Sequence, residues 1–177
     1  MGISMNIHFD SWDGPEGLGL TMLRAVISSA TDQLLEGVDT SDYHLHVVTL
    51  DDHVLPSDGE SQVYGATYVH GDKYNTAEVE HFHLGIWHGL AQDPGLAVVT
   101  VCHEMIHLAQ YITGRLRVEV DDDDIQTFWI DEEIDDENTD YDDLPWEVEA
   151  YELQDTVAFT ALASEGFLKV RQLIAHM

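Results

Sequence analysis

Positive charge is what this sequence lacks most. Six Lys and Arg residues stand against 35 Asp and Glu in 177 residues, a formal net charge of −29 with the 11 histidines neutral. Only Lys73 and Lys169 among the six bases are lysine. Such a chain is repelled by nucleic acid and by anionic membrane surfaces, so a basic-patch nucleic-acid binder is excluded and no membrane partner is expected. A single cysteine, Cys102, cannot close an internal disulfide, and nothing demands an oxidising compartment. No run of about 18 apolar residues occurs, and Met1 to Asp10 carries neither a basic segment nor a long apolar stretch. Neither a membrane span nor an export signal is therefore expected, which points to a cytoplasmic or virion-associated protein.

What is present argues for a folded body. The chain is 44% hydrophobic and 9% aromatic, too apolar for a disordered acidic chain, so the acids must cover the surface of a core. The length suits one domain, residues 1–177, better than two. An acid-rich, lysine-poor surface is what keeps a protein hydrated in concentrated salt, and a halophilic origin with a salt-rich cytoplasm is the expectation. A DNA-mimicking inhibitor and an ordinary acidic protein with one disordered loop are the competing explanations of the charge.

Ile3 to Phe9 alternates as a short strand, Asp13-Gly14-Pro15 breaks the chain, and Leu18 to Leu35 follows with helical periodicity up to Gly37. Tyr43 to Leu50, Gln62 to His70 and Val79 to Trp87 read as three strands, the last two separated by a turn at Gly71-Asp72, which suggests a small, largely antiparallel sheet. Asp93-Pro94-Gly95 signals a helix start, and Leu96 to Ile112 continues to Thr113-Gly114. Arg115 to Val120 is a further candidate strand. From Asp121 to Asp143 there are thirteen acids and no Lys or Arg, read as an acidic loop or hairpin insertion in which the island Ile125 to Ile130 is a strand or an anchor. This tract lacks the spaced calcium-loop pattern and its turn glycine, so a solvated loop is the default. Pro145 opens a helix to about Ala163, and Glu165 to Ala175 is a last amphipathic stretch.

The chemistry lies in His103-Glu104-Met105-Ile106-His107. Four residues are just over one helical turn, so both imidazoles face the same way and can share one Zn²⁺, while Glu104 can take a proton from water beside the metal. The flanks Val98 to Cys102 and Leu108-Ala109 are mostly apolar, and two histidines buried there without a partner would be costly. A catalytic zinc needs a third protein ligand. No histidine occurs between His107 and His176, so a later carboxylate is required, and Pro145-Trp146-Glu147-Val148-Glu149-Ala150 supplies two candidates. Glu147 and Glu149 lie about 200° apart on a helix, so at most one binds.

In these motifs the sequence resembles the gluzincin type of zinc metallopeptidase, in which a glutamate on a downstream helix completes the site. More narrowly it is similar to small peptidase-like proteins common in phage and bacterial genomes, with H-E-x-x-H, an intervening Trp or Tyr segment and a P-W-E-x-E-A box. The likeness spans about residues 95 to 155. It implies an α+β, minimal zincin-like domain, with the sheet and C-terminal helices packed on the H-E-x-x-H helix. Related families place the ligand three residues before a small alanine, which implies Glu147 as the third ligand beside His103 and His107, with Zn²⁺ as cofactor. Many gluzincins carry an Asp four residues after that glutamate to orient a histidine; here Tyr151 stands there. The likeness also implies that Phe82 to Trp87 edges the cleft and aligns a peptide by strand addition.

Of the remaining histidines, His44 and His46, and likewise His81 and His83, alternate onto one face of a strand. No third ligand is evident beside either pair, so surface or satisfied core roles are expected. Tyr141, Tyr151 or a histidine is a candidate for steadying an oxyanion. Cys102 points about 100° away from His103 and reads as a core thiol. The expected activity is hydrolysis of peptide bonds in a peptide or protein substrate, with His103, His107 and Glu147 on the metal and Glu104 as general base. The alternatives are a non-enzymatic virion or accessory protein that keeps a zincin fold in an assembly, and an acidic DNA-mimic binding protein.

Overall fold

The computed structural model describes residues 5–11, 18–50, 64–69, 79–121 and 124–175. Strand β1 (Asn6–Ser11) leads into helix α1 (Leu18–Leu34), followed by β2 (His44–Leu50), β3 (Gly65–Val69) and β4 (His81–Trp87). These strands form one sheet in the order β1-β2-β4-β3. The α+β class holds, but this sheet is mixed rather than largely antiparallel: β1 with β2 and β2 with β4 are parallel, and only β3 with β4 is antiparallel. The sequence hid this because parallel pairing depends on how the chain crosses between strands, through α1 for β1 and β2, which alternation within a strand does not encode. The turn expected at Gly71-Asp72 lies outside the described residues.

Alternation decides what each face of the sheet carries. Leu45 and Val47 of β2 and Phe82, Leu84 and Ile86 of β4 are buried, in one core with Val26, Ile27 and Ala30 of α1. The same core takes in α2 (Pro94–Ile112) and Ala150, Val157, Ala158 and Ala161 of α3 (Pro145–Ala163). Helix α2 starts where Asp93 accepts from the amides of Gly95 and Leu96 with Pro94 in its first turn, and Gly114, at φ +70°, follows its last residues. Every residue from Val101 to Gln110 is buried, so this helix is enclosed on all sides. Its mostly apolar composition is the sequence trace of that position. Cys102 lies fully buried in the core. Among the described residues no helix is long and apolar enough to cross a membrane.

Among the described residues, the edge of the sheet beside α2 is β3, not β4. Strand β4 is paired on both sides, so it has no free edge for strand addition, contrary to the expectation for Phe82 to Trp87. Strand β3 lies against α2, where the Thr67 hydroxyl donates to the Glu104 carbonyl at 2.9 Å. Gly65 is required at this crossing: a Cβ there would stand 2.8 Å from Glu104 Cγ and 2.8 Å from Thr100 Cγ2. Gly65→Ala is expected to cost about 1–3 kcal/mol through overpacking, read as a lowered urea midpoint with unchanged slope.

After α2 the chain forms a three-stranded antiparallel meander, β5 (Leu116–Asp121), β6 (Asp124–Trp129) and β7 (Glu132–Ile134). Much of the acidic tract is therefore a hairpin. Its anchor is Trp129, which with Tyr111 and Ile134 packs on a small second core of Leu116, Leu144 and Trp146. Ile125 and Ile130 of the apolar island are exposed instead. Helix α4 (Glu165–Ala175) closes the fold.

Candidate metal centre

Helix α2 supplies His103, Glu104 and His107, and the first turn of α3 supplies Glu147; all four side chains are buried. The two helices approach closely because Ala150, one turn after Glu147, is fully buried with only a methyl between them. Glu147 Oε2 lies 3.2 Å from His103 Nε2, Glu147 Oε1 lies 3.3 Å from His107 Nε2, and the two Nε2 atoms are 3.1 Å apart. Among the described residues this is the one group of three or more His, Cys, Asp or Glu side chains placed to hold a metal ion.

The donor set fits a cation for a reason visible in the surrounding hydrogen bonds. His103 donates from Nδ1 to Gln154 Oε1 at 3.0 Å, and His107 donates from Nδ1 to Gln110 Oε1 at 2.9 Å. With Nδ1 carrying the proton, each neutral imidazole presents its Nε2 lone pair to the other and to the carboxylate. Three electron-rich groups then converge in a buried space, an arrangement that is repulsive unless a proton or a metal ion sits between them. Ligands about 2.0–2.1 Å from a tetrahedral Zn²⁺ are spaced near 3.3 Å, which matches the observed separations.

The glutamines orienting these histidines escaped the sequence reading, although helical spacing marks them. Gln110 is one turn beyond His107, and Gln154 is two turns beyond Glu147 on the same face of α3. The orientation of Gln110 is set by its amide, which donates to the Trp146 carbonyl and to Glu149 Oε2, each at 3.0 Å. Glu149 also accepts from Arg115, so it braces the site from outside while Glu147 enters it. The choice between these two glutamates thus follows from which face of α3 meets α2. Tyr151 does not replace the missing Asp as a partner of Nδ1; its ring packs on that of His103 with centroids 4.9 Å apart.

Electrostatics follow the same geometry. Burial alone would raise the Glu147 carboxyl, but with no metal present a proton taken up by the imidazoles lets His103 and His107 donate to it, and these bonds, the resulting His107 charge and the Tyr141 hydroxyl bring it down to about 2. Burial would lower His107, yet its contact with Glu147 raises it above its ordinary value. Glu104, unlike Glu147, is shifted upward: burial pushes its carboxyl up against the downward pull of His107 and His103. Tyr141, raised by burial and by the charge of Glu147, keeps its proton well above the ordinary phenol range. Tyr111, one turn after His107, is pushed up to about 12 by burial and by the charges of Glu104 and Glu147. Two of the candidate oxyanion donors, Tyr141 and Tyr151, therefore border the cluster. His44, His46, His81 and His83 do not, since they occupy the opposite face of the sheet.

Comparison with protein-family models, with curated proteins and with solved structures finds no match to this chain.

Proposed function

We propose that this protein is a zinc-dependent metallopeptidase of the gluzincin type, in which His103, His107 and Glu147 hold the ion and Glu104 is the general base. The observation that carries the reading is the convergence of two Nε2 lone pairs and one carboxylate, with a fourth buried group, Glu104, on the same helix. Zn²⁺ bound by these residues would supply a Lewis acid that polarises a carbonyl and makes water acidic. The protein's own groups do the rest.

A structural zinc site needs no base, whereas hydrolysis needs a carboxyl able both to accept a proton from water and to return it to a leaving amine. Glu104 suits that cycle because its burial raises its proton affinity toward the working range. Gln110 and Gln154 keep both histidines in the tautomer that offers Nε2. The protonated Tyr141 hydroxyl donates to Glu147 and helps hold that carboxylate in its anionic form. Strand β3, with Gly65 against Glu104, is the sheet edge along which an extended peptide substrate would lie.

Protein purified in high salt without chelator is expected to carry near one zinc per chain by plasma mass spectrometry and to release new amino termini from a broad peptide library. A chelator should stop the release and added Zn²⁺ should restore it. Zinc binding without release from any peptide would replace the enzyme by an accessory protein that keeps its metal. No binding, even with zinc added, would remove the metallopeptidase reading altogether.

A further inference from the structure

The face of the larger sheet turned away from the helices carries five of the protein's 11 histidines. Residues two apart share a face, and the parallel register brings His44 beside His81, and His46 beside both His8 and His83. Register, which sequence does not display, sets histidines of three strands side by side. The rings stack as a ladder: His8 on His46 at 4.8 Å, His44 on His81 at 4.7 Å, His46 on His83 at 5.2 Å, with Tyr68 of β3 closing the row on His83 at 5.1 Å. Two diagonal contacts join the rows through ring nitrogens. His8 Nε2 lies 3.1 Å from His44 Nδ1, and His46 Nε2 lies 3.1 Å from His81 Nδ1.

We propose that this histidine ladder is a second metal-binding site, in which the His8/His44 and His46/His81 pairs each chelate a divalent transition metal of the Cu²⁺ or Ni²⁺ kind through two imidazoles. A nitrogen separation near 3 Å is the spacing of adjacent ligands around such an ion at about 2 Å, and imidazole is a preferred ligand of both metals. Each pair now shares one N–H between two nitrogens. Binding requires that imidazole to shift its proton to its other ring nitrogen, with no net proton lost. Two imidazoles leave the remaining coordination positions to water or other donors, unlike the buried three-ligand centre. The net charge of −29 concentrates cations at the surface and favours loading. A metal on either pair would tie one strand to its parallel neighbour, β1 to β2 or β2 to β4.

The test is equilibrium dialysis of the full chain against Cu²⁺, counting bound metal in the wild type and in single variants. About two ions per chain should depend on the ladder, one on each pair. His8→Asn and His44→Asn, which break the same pair from different strands, should each lose the same ion. His46→Asn and His81→Asn should each lose the other, with at least a tenfold weaker affinity at the altered pair. Circular dichroism checks that each variant is folded, and Cu²⁺ paramagnetic resonance should show coupling to two nitrogens at each lost ion. His103→Asn should remove only the further ion held by the buried centre and leave the two ladder ions in place. Copper uptake equal in wild type and all four ladder variants, or uptake abolished by His103→Asn alone, would overturn the proposal. Loss in the ladder variants with no effect of His103→Asn would sustain it while counting against the buried metal centre.

Discussion

Glu104→Gln is expected to lower peptide hydrolysis by about 10²–10⁴-fold, the usual contribution of a positioned general base, with zinc content unchanged. The amide has nearly the same volume as the carboxyl, and it would occupy the same buried space against Gly65 and Thr100. It can still form hydrogen bonds, but it cannot accept a proton from water and return it to an amine. Because the burial that raises the Glu104 carboxyl also makes its charge costly, the neutral variant is expected to be at least as stable as the wild type, measured by thermal unfolding with zinc present. Activity lost together with metal or folding would assign Glu104 a structural part instead. Activity retained at the wild-type level would remove it from the mechanism.

Exchanging the two glutamates of α3 should give opposite results. Glu147→Ala removes the carboxylate that faces both Nε2 atoms, and zinc affinity is expected to fall by more than about 100-fold, beyond what the loss of a group orienting a ligand costs. Glu149→Ala removes the partner of Arg115 and one acceptor of Gln110, while Gln110 keeps its bond to the Trp146 carbonyl and therefore its hold on His107. Its zinc affinity should fall by less than about tenfold, and its stability by no more than about 1 kcal/mol, since the Arg115 pair is partly exposed. Competition with a chromogenic chelator measures both. Equal losses in the two variants would mean that the third ligand is not set by the geometry seen here.

Some of this was legible because it is local. The H-E-x-x-H spacing, the capped start of α2, the proline that opens α3 and the small alanine beside Glu147 are written within single helices, and helical periodicity is enough to read them. The hairpin of the acidic tract was harder. Ile130 and Asp131 turn it with φ +48° and +66°, where glycine or asparagine would have marked a tight turn and a β-branched residue gives no such signal. Gln110 and Gln154 had the right spacing but a residue type that is uninformative until a histidine ring is seen to face it.

By itself the sequence determined the main helices, most strands, their apolar faces and the helix that holds His103, Glu104 and His107, because each follows from the period of one segment and the residues that start and stop it. Only the tertiary structure decided which edge of the sheet meets α2, which glutamate of α3 points inward and which histidines of three strands share a ladder. Those outcomes depend on register, crossover and helix rotation. These are set by how distant segments bury their apolar surfaces together, and no single stretch of chain records them.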